Sequence, residues 1–366
     1  MPRLDLDRSN LAFPLPHADE SLDEICAVHL LEYFPHPQVP AVLADWVRAL
    51  KKGGVLRVTV PDFAKIAQGY LEGVKQPTEG LVMGGQADAG DFQKALFDPS
   101  ALARHMSDAG LVLLRPWTPD ADDPLSLNLE GSKPHVTEYM VSGAMSVPRL
   151  AFMDNMFCAL EAALALKVKF RKHGGAFWGQ SLTNVMEKIL EEDPADFILT
   201  VDYDSIFTPK QLATLIQLML LHPEIDALAP IQSSRHLKTS LFTVRGDDGN
   251  EPLIKRADLQ GDTFKVHTAH FGLTLLRTER LRALPKPWFH SVPSMAGEWH
   301  DGDGHIDEDI RFWQKWEEAG CSLHLATRVA IGHAELLVKW PDINLETFHR
   351  PMSEFQNKGL PEGLWL

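Results

Sequence analysis

Short apolar runs alternate with helix-periodic segments along most of the chain, and this alternation restricts the fold more than any other feature of the sequence. The clearest apolar run covers residues 197–201, and the clearest helical spacing follows in residues 210–221, with Leu212, Leu215 and Ile216 on one face. Strands that alternate with helices favour a parallel or mixed sheet covered by helices. The sequence therefore predicts an α/β fold with ligands at the carboxyl ends of the strands.

The alternation forms two Rossmann-like α/β blocks, which we predict as domains 1–134 and 135–366. A length of 366 residues suits two domains of ordinary size. The boundary follows residues 116–134, a segment rich in Asp and Pro. Within that segment, residues 125–129 are predicted as an edge strand. Further upstream, the Lys-Lys-Gly-Gly sequence at 51–54 predicts a helix end.

Composition excludes several classes of protein. The chain has 50 acidic and 35 basic side chains, with a formal net charge of −15, so it lacks the basic excess that nucleic-acid binding requires. No apolar run is long enough for a membrane-spanning helix, and the first residues do not resemble a signal peptide. Three widely spaced cysteines, Cys26, Cys158 and Cys321, favour reduced thiols. We therefore expect a cytoplasmic protein with no nucleic-acid partner and no integral membrane segment.

Three segments of the first block carry a family resemblance. They are LP at 15–16 with SLDEI at 21–25, HLLEYF at 29–34, and LKKGGVLRV at 50–58. In order and spacing they resemble class I S-adenosylmethionine (SAM)-dependent methyltransferases. That family holds its cofactor against a glycine-rich loop after the first strand, whereas the first glycine here is Gly53. The resemblance thus implies an incomplete, inactive methyltransferase-like domain, and we expect SAM not to be a cofactor.

The strongest chemical signal in the second block is a pair of carboxylates at the end of an apolar strand. Residues 197–201 are followed directly by Asp202, Tyr203 and Asp204. Unpaired carboxylates at the end of a buried strand are costly. A divalent cation removes this cost, and its preference for hard oxygen ligands points to Mn²⁺ or Mg²⁺, which also bind a diphosphate. The pattern therefore predicts a metal site.

The motifs of the second block, taken together, resemble those of family 2-like glycosyltransferases of the GT-A fold. The order is Asp202 and Asp204 (a DxD motif), then His270-Phe271-Gly272, then the acid pair 308–309, then a histidine. The resemblance implies the following site residues: metal ligands Asp202, Asp204 and His333; donor contacts Pro148, Asp202 and Gln180; an acceptor or sugar side with His270 and Gly272; and the catalytic residues Asp309 and Glu308.

These roles imply metal-dependent transfer of a sugar from a nucleotide-diphosphate donor to an acceptor hydroxyl of a glycan, lipid or protein, with inversion. The metal would offset the charge of the leaving diphosphate. Asp309, or in second place Glu308, would take the proton of the acceptor hydroxyl. As alternatives, the acid pair simply favours a helix N-terminus, and His333 is a structural histidine. For the whole chain the alternatives are a SAM-dependent methyltransferase or bifunctional enzyme, and a non-catalytic scaffold.

Overall fold

The chain folds as two α/β units, each with its own sheet, which confirms the predicted fold class. One unit comprises Met1–Thr137 with Leu220–His222, and the other comprises Glu138–Met219 with Pro223–Leu366. The computed structural model describes residues 2–7, 12–88, 90–119, 123–147, 151–175, 177–233, 256–293, 297, 306–341, 344 and 346–362.

The described part of the first unit contains one mixed sheet and four helices. Its elements are β1 (Arg3–Leu6), β2 (Leu22–Val28), α1 (Val39–Ala49), β3 (Leu50–Pro61), α2 (Phe63–Leu71), α3 (Thr78–Met83), α4 (Pro99–Asp108), β4 (Val112–Pro116) and β5 (Ser126–Ser132). The strand order is β1-β2-β3-β5-β4. Strands β1, β2 and β3 are parallel, whereas β5 is antiparallel to both β3 and β4. The carboxyl ends of β2 and β3 therefore meet the beginning of β5 at one edge of the sheet.

Local sequence explains the elements that border this edge. On α1, Val42, Leu43 and Trp46 recur at helical spacing and are fully buried in the core. Helix α2 begins at the edge because the side chain of Asp62 accepts hydrogen bonds from the backbone N–H groups of Ala64 and Lys65, at 3.1 and 3.3 Å. This cap fixes where the chain leaves β3.

Two local predictions for the first unit need correction. The strand predicted at the edge of the sheet is β5, which instead lies between β3 and β4, because the chain returns through β4 before β5 forms. The glycine-containing segment 51–54 ends α1 as expected, but it also belongs to β3 as a bulge. The β2–β3 pairing moves from Leu22–Leu50 to Glu24–Val55, and Gly53 has a φ of 78°.

The second unit is built around a larger mixed sheet. Its elements are β6 (Val141–Val147), α5 (Met153–Leu166), β7 (Lys169–Gly174), α6 (Trp178–Glu192), β8 (Phe197–Val201), β9 (Ser205–Ile206), α7 (Pro209–Leu221), β10 (Ala227–Gln232), β11 (Thr263–Lys265), β12 (Leu273–Arg277), α8 (Thr278–Ala283), α9 (Glu308–Glu318), β13 (Leu323–His333), β14 (Leu337–Pro341), β15 (Thr347–Pro351) and α10 (Met352–Lys358). The order is β11-β13-β10-β12-β8-β6-β7, with β9 beside β13 and β14–β15 a separate pair.

Strand direction determines what meets at the edge of this sheet. Strand β8 is parallel to β6, and β10 is parallel to β13, while β12 runs antiparallel between β8 and β10. Strands β6, β8, β10 and β13 consequently all end at one edge, and β12 begins there. The acids after β8, the end of β13 and the segment before β12 are brought to the same edge although they lie far apart in sequence.

Packing beneath this edge is aromatic. Phe271 stacks on Trp313 with ring centroids 4.9 Å apart and meets Trp178 edge-to-face at 5.5 Å, and both Phe271 and Trp313 are buried. Helix α7 begins with a reciprocal capping box between Thr208 and Gln211. Among the described helices, none is both long and apolar enough to cross a membrane.

Candidate functional site

Asp202 is the first carboxylate after β8 and is held from three sides. Its side chain accepts a hydrogen bond of 2.9 Å from the indole Nε1 of Trp178, the first residue of α6. Its backbone N–H donates to the carbonyl of Gly272. The side-chain amide of the buried Asn155 donates to the carbonyls of Asp202 and Ser205, at 2.8 and 2.7 Å. These bonds fix the turn in which both acids lie.

Asp204, the second carboxylate, faces a histidine from another strand. Its Oδ2 lies 3.2 Å from Nε2 of His333, the last residue of β13, and both side chains are largely buried. The other ring nitrogen, Nδ1, lies 2.9 Å from the carbonyl oxygen of Ser233. A carbonyl only accepts, so Nδ1 carries the proton, and in the neutral ring Nε2 turns a lone pair towards the carboxylate. The Asp204 oxygen and the Nε2 lone pair are both acceptors, so their contact is favourable when a proton or a metal ion lies between them.

Glu308 is tied to the same helix N-terminus that holds Asp202. Its Oε1 accepts a hydrogen bond of 3.0 Å from the backbone N–H of Gly179, which follows Trp178 directly. A Cβ at Gly179 would lie 2.3 Å from Glu308 Oε2, so only glycine admits this approach. Consecutive residues of α6 thus connect the carboxylate after β8 with the first residue of α9. Glu308 itself is occupied as a partner of the helix N-terminus.

Asp309 is the carboxylate of this helix whose protonation is unusual. Burial raises the pKa of Asp309 to about 6, against a hydrogen bond of 2.8 Å from the Ile310 N–H that favours the ionised form, and Asp307 raises the pKa further. A carboxyl group that titrates near neutrality can both take and release a proton at ordinary pH. Of the two predicted catalytic acids, Asp309 therefore has the chemistry of a base.

The remaining predicted residues occupy different environments. His270 is buried, and burial lowers its pKa to about 4; its Nε2 donates to the Pro230 carbonyl, and its Nδ1 accepts from the Gly272 N–H. A Cβ on Gly272 would approach Ser205 and Gln232 to 2.6 Å. Gln180 is exposed on α6, and Pro148 lies outside the described residues.

Sequence reasoning missed two residues at this edge, Trp178 and Asn155. A role was given to Gln180 but none to Trp178 two residues earlier, and Asn155 carried no motif. Polar atoms on otherwise apolar helices were the available signal, since a buried amide or indole N–H needs a partner. Among the described residues, no group of three or more His, Cys, Asp or Glu side chains could hold a metal ion, so the predicted ligand set stays a prediction.

The corresponding edge of the first unit also brings polar groups together. Glu32, in a 3-10 turn after β2, is buried, and its Oε1 lies 3.4 Å from Nδ1 of His29. Nε2 of His29 lies 3.1 Å from the hydroxyl of Ser126, the first residue of β5. Two buried atoms, Glu32 Oε2 and the Thr59 hydroxyl, have no hydrogen-bond partner among the described residues. Such orphan atoms mark a place where a ligand can bind.

Comparison with protein families finds a match at the N-terminus. Residues 7–58 match a family described as a methyltransferase domain. The matched part contains β2, α1 and most of β3. A search of curated proteins finds no match.

Solved structures similar to the chain come from several kinds of protein. A SAM-dependent methyltransferase from Thermotoga maritima is 19% identical, covers 32% of this chain and 59% of its own, and has a TM-score of 0.22. GalNAc-T7 with UDP, GalNAc and Mn²⁺ is 10% identical over 53% of this chain and 44% of its own, with a TM-score of 0.38. A197 from STIV is 10% identical over 57% of this chain and 93% of its own, with a TM-score of 0.37. Scores this low carry no argument about function.

The expectation that SAM is not a cofactor is wrong. It rested on the missing glycine loop, whereas residues 7–58 match a methyltransferase domain although no glycine precedes Gly53. The strand ends in that segment supply polar groups of their own, among them the orphan carboxylate oxygen of Glu32. The absence of one binding element was therefore a poor guide to the cofactor.

Proposed function

We propose that the chain is a bifunctional transferase whose first unit is a SAM-dependent methyltransferase domain. The match of residues 7–58 to a methyltransferase domain carries this proposal. The position of the orphan atoms agrees with it, because ligands of open α/β sheets bind at the carboxyl ends of the parallel strands.

The residues at this edge fit a cationic cofactor. SAM, when bound, supplies an electrophilic methyl group on a positively charged sulfur. Glu32 offers a buried carboxylate oxygen without a hydrogen-bond partner among the described residues, and Thr59 a buried hydroxyl. A buried negative charge without full compensation is costly, and a cationic group removes that cost. Glu32 and Thr59 are thus the residues that would hold the cofactor.

Calorimetric titration with SAM tests this assignment without any methyl acceptor. The wild-type chain should bind SAM, and Glu32→Gln should weaken binding about tenfold, or about 1.4 kcal/mol, because the carboxylate charge is lost while the shape is kept. Glu79→Gln, on the exposed face of α3, is the matched control and should bind like wild type. Absence of binding by the folded wild-type chain would contradict the proposal.

The second activity that we propose is glycosyl transfer in the second unit, and the contact between Asp204 and His333 favours it. The residues fit a divalent cation: a carboxylate faces an imidazole lone pair, and the other imidazole nitrogen donates to a carbonyl, as in histidines that bind metals. Mg²⁺ and ions like it are commonly held by one or two carboxylates together with substrate phosphates. A cation on Asp204 and His333, when bound, would offset the charge of a leaving nucleoside diphosphate.

The remaining chemistry belongs to residues around the start of α6. Trp178 fixes the carboxylate of Asp202, and Gly179 fixes Glu308, so the two acidic motifs keep their spacing. Asp309, with its pKa of about 6, is ionised at neutral pH and takes the proton of an acceptor hydroxyl as the new glycosidic bond forms. Attack from the side opposite the leaving diphosphate inverts the anomeric carbon.

A thermal-shift screen with UDP and GDP, each with and without Mn²⁺, tests the second activity. One diphosphate should stabilise the protein only when Mn²⁺ is present, and Asp204→Asn should remove this metal-dependent shift. Asp258→Asn, an exposed acid of the same unit, is the control and should keep the shift. An equal shift with and without metal, or its persistence in Asp204→Asn, would contradict the role of Asp204.

A further inference from the structure

The polar groups at the edge of the first unit's sheet form a continuous relay of three side chains. Ser126 Oγ lies 3.1 Å from His29 Nε2, and His29 Nδ1 lies 3.4 Å from Glu32 Oε1. Because a carboxylate only accepts, Nδ1 carries the proton, and the Nε2 lone pair accepts the proton of the Ser126 hydroxyl. The arrangement is nucleophile, base and orienting acid, within the distances that such sets show in unliganded enzymes.

The backbone holds the base in an unusual conformation. His29 has a φ of 50°, in the left-handed region that residues other than glycine seldom adopt. It is held there by a hydrogen bond of 2.8 Å from its N–H to the carbonyl of Thr59 on β3. Strain of this kind costs free energy and persists where the surroundings enforce it, often at functional sites.

The electrostatic surroundings favour proton uptake by the imidazole. The carboxylate of Glu32, and more weakly Asp123, raise the pKa of His29 against the opposing effect of burial. Asp123 also lies 3.4 Å from the Ser126 hydroxyl. Lys65 is a cation near this site: its ammonium group lies 3.5 Å from the Ser126 carbonyl oxygen and 3.8 Å from the carboxylate of Asp62. Proton transfer from Ser126 to His29 thus creates an imidazolium next to a carboxylate.

We propose that Ser126, His29 and Glu32 form a second catalytic site that hydrolyses esters of small acyl groups. It shares Glu32 with the proposed cofactor site but uses the other carboxylate oxygen, Oε1, which faces His29. Ser126 Oγ attacks the carbonyl carbon while its proton passes to His29 Nε2, and the leaving alcohol takes that proton as its bond to the acyl carbon breaks. Water then attacks the acyl-serine, again losing a proton to His29, and the carboxylic acid leaves as Ser126 is restored. Glu32 keeps Nδ1 protonated throughout.

Exposure limits the substrate to small acyl groups. Ser126 and Glu32 are buried, whereas 40% of the His29 side chain is exposed, so a substrate reaches the hydroxyl only beside the imidazole. The ammonium group of Lys65, 3.5 Å from the Ser126 carbonyl oxygen, is a cation on this side of the site that could offset the oxyanion charge. Acetate esters are therefore the appropriate probe.

Covalent labelling with a small fluorophosphonate tests the nucleophile. Mass spectrometry of the digested protein should find the adduct on Ser126, and Ser126→Ala should remove it. Ser132→Ala, at the other end of β5, is the matched control and should label like wild type. No adduct on the folded wild-type protein, or an equal adduct in Ser126→Ala, would overturn the proposal.

Hydrolysis of p-nitrophenyl acetate tests the base. His29→Asn, chosen because Asn tolerates the left-handed conformation, should lower kcat/KM about 100-fold. The wild-type rate should rise with pH as His29 loses its proton, and this pH dependence should be absent from His29→Asn. A pH profile shared by both proteins would overturn the assignment. Neither assay contains SAM, so these results do not depend on the proposed methyl transfer.

Discussion

Each unit presents a carboxylate and an imidazole in contact at the carboxyl edge of its sheet, but a different ring nitrogen faces the carboxylate in each pair. In the first unit, Nδ1 of His29 faces Glu32, and Nε2 faces a hydroxyl. In the second unit, Nδ1 of His333 donates to a backbone carbonyl, and Nε2 faces Asp204. The first arrangement is suited to passing a proton along the ring, whereas the second turns two lone pairs towards one point, where a cation would fit.

The comparison teaches that the partner of the second ring nitrogen decides what a histidine beside an acid can do. A hydroxyl partner leaves the imidazole free to exchange a proton. A carbonyl partner fixes the tautomer and turns the remaining lone pair towards the acid. Similar residue types at equivalent edges of two sheets thus support different chemistry.

Replacing Asp309 should have the largest effect and tests whether proton transfer in the second unit belongs to a carboxylate rather than to its histidine. Asp309→Asn should lower kcat for sugar transfer at least about 100-fold, because the acceptor hydroxyl loses its base. Since burial raises the pKa of Asp309 to about 6, the wild-type kcat should rise as pH increases through 6 and then level off. Initial rates between pH 5 and 8 check both statements; a profile unchanged by Asp309→Asn would move the proton acceptor elsewhere.

Removing the indole N–H of Trp178 should have a smaller effect and sharpens the contrast in how the two acids are held. Trp178→Phe keeps an aromatic ring beside Phe271 but removes the 2.9 Å bond to Asp202. Loss of such an orienting partner typically weakens metal binding 10- to 100-fold. We therefore expect the Mn²⁺ affinity, measured in the presence of the diphosphate, to fall about tenfold. Titration of Mn²⁺ at fixed diphosphate measures it. Trp288→Phe, a buried indole bonded only to the Leu284 carbonyl in the described contacts, should leave the Mn²⁺ affinity unchanged.

Local periodicity predicts the elements that carry the site, because the spacing of apolar residues along a strand or helix reflects which side chains are buried. The strand predicted at residues 197–201 has these bounds in the structure, and the helical spacing at 210–221 is found in α7, Pro209–Leu221. Both are short segments whose apolar side chains face the core. The placement of the acids directly after a buried strand followed from the same reasoning.

Hydrogen bonds and strand pairings between residues far apart in the chain could not be predicted, because no local sequence pattern indicates them. The bond from Trp178 to Asp202 joins residues of different elements, and β5 becomes an interior strand only because β4 covers its far side. His270 and Gly272 were interpreted as the acceptor or sugar side, but the antiparallel strand β12 that follows them is what brings Gly272 beside Asp202. The relay of His29, Glu32 and Ser126 likewise depends on where β5 begins.

Replacing Asp193 should not affect glycosyl transfer in the second unit. The variant tests whether the acids of the candidate site act separately from an acid at the opposite edge of the same sheet. Asp193 is buried near the beginning of β6 and accepts bonds from Arg171, Lys169 and the Ser142 hydroxyl. Arg171 in particular holds the pKa of Asp193 well below its usual range, so this stabilisation is present at neutral pH and is lost as pH falls below about 4.

Asp193→Asn should therefore lower the melting temperature at pH 7 by roughly 4–8 °C, while metal-dependent diphosphate binding stays at the wild-type level. The difference from wild type should shrink at pH 3, because below about pH 4 the carboxylate of the unfolded wild-type chain takes up a proton while that of the folded chain is still ionised. Glu187→Gln, which breaks an ion pair with Lys286 at the surface, is the control and should change the melting temperature little. A loss of diphosphate binding in Asp193→Asn without loss of the fold would mean that the two edges are coupled, and the acids after β8 would then not act as a separate site.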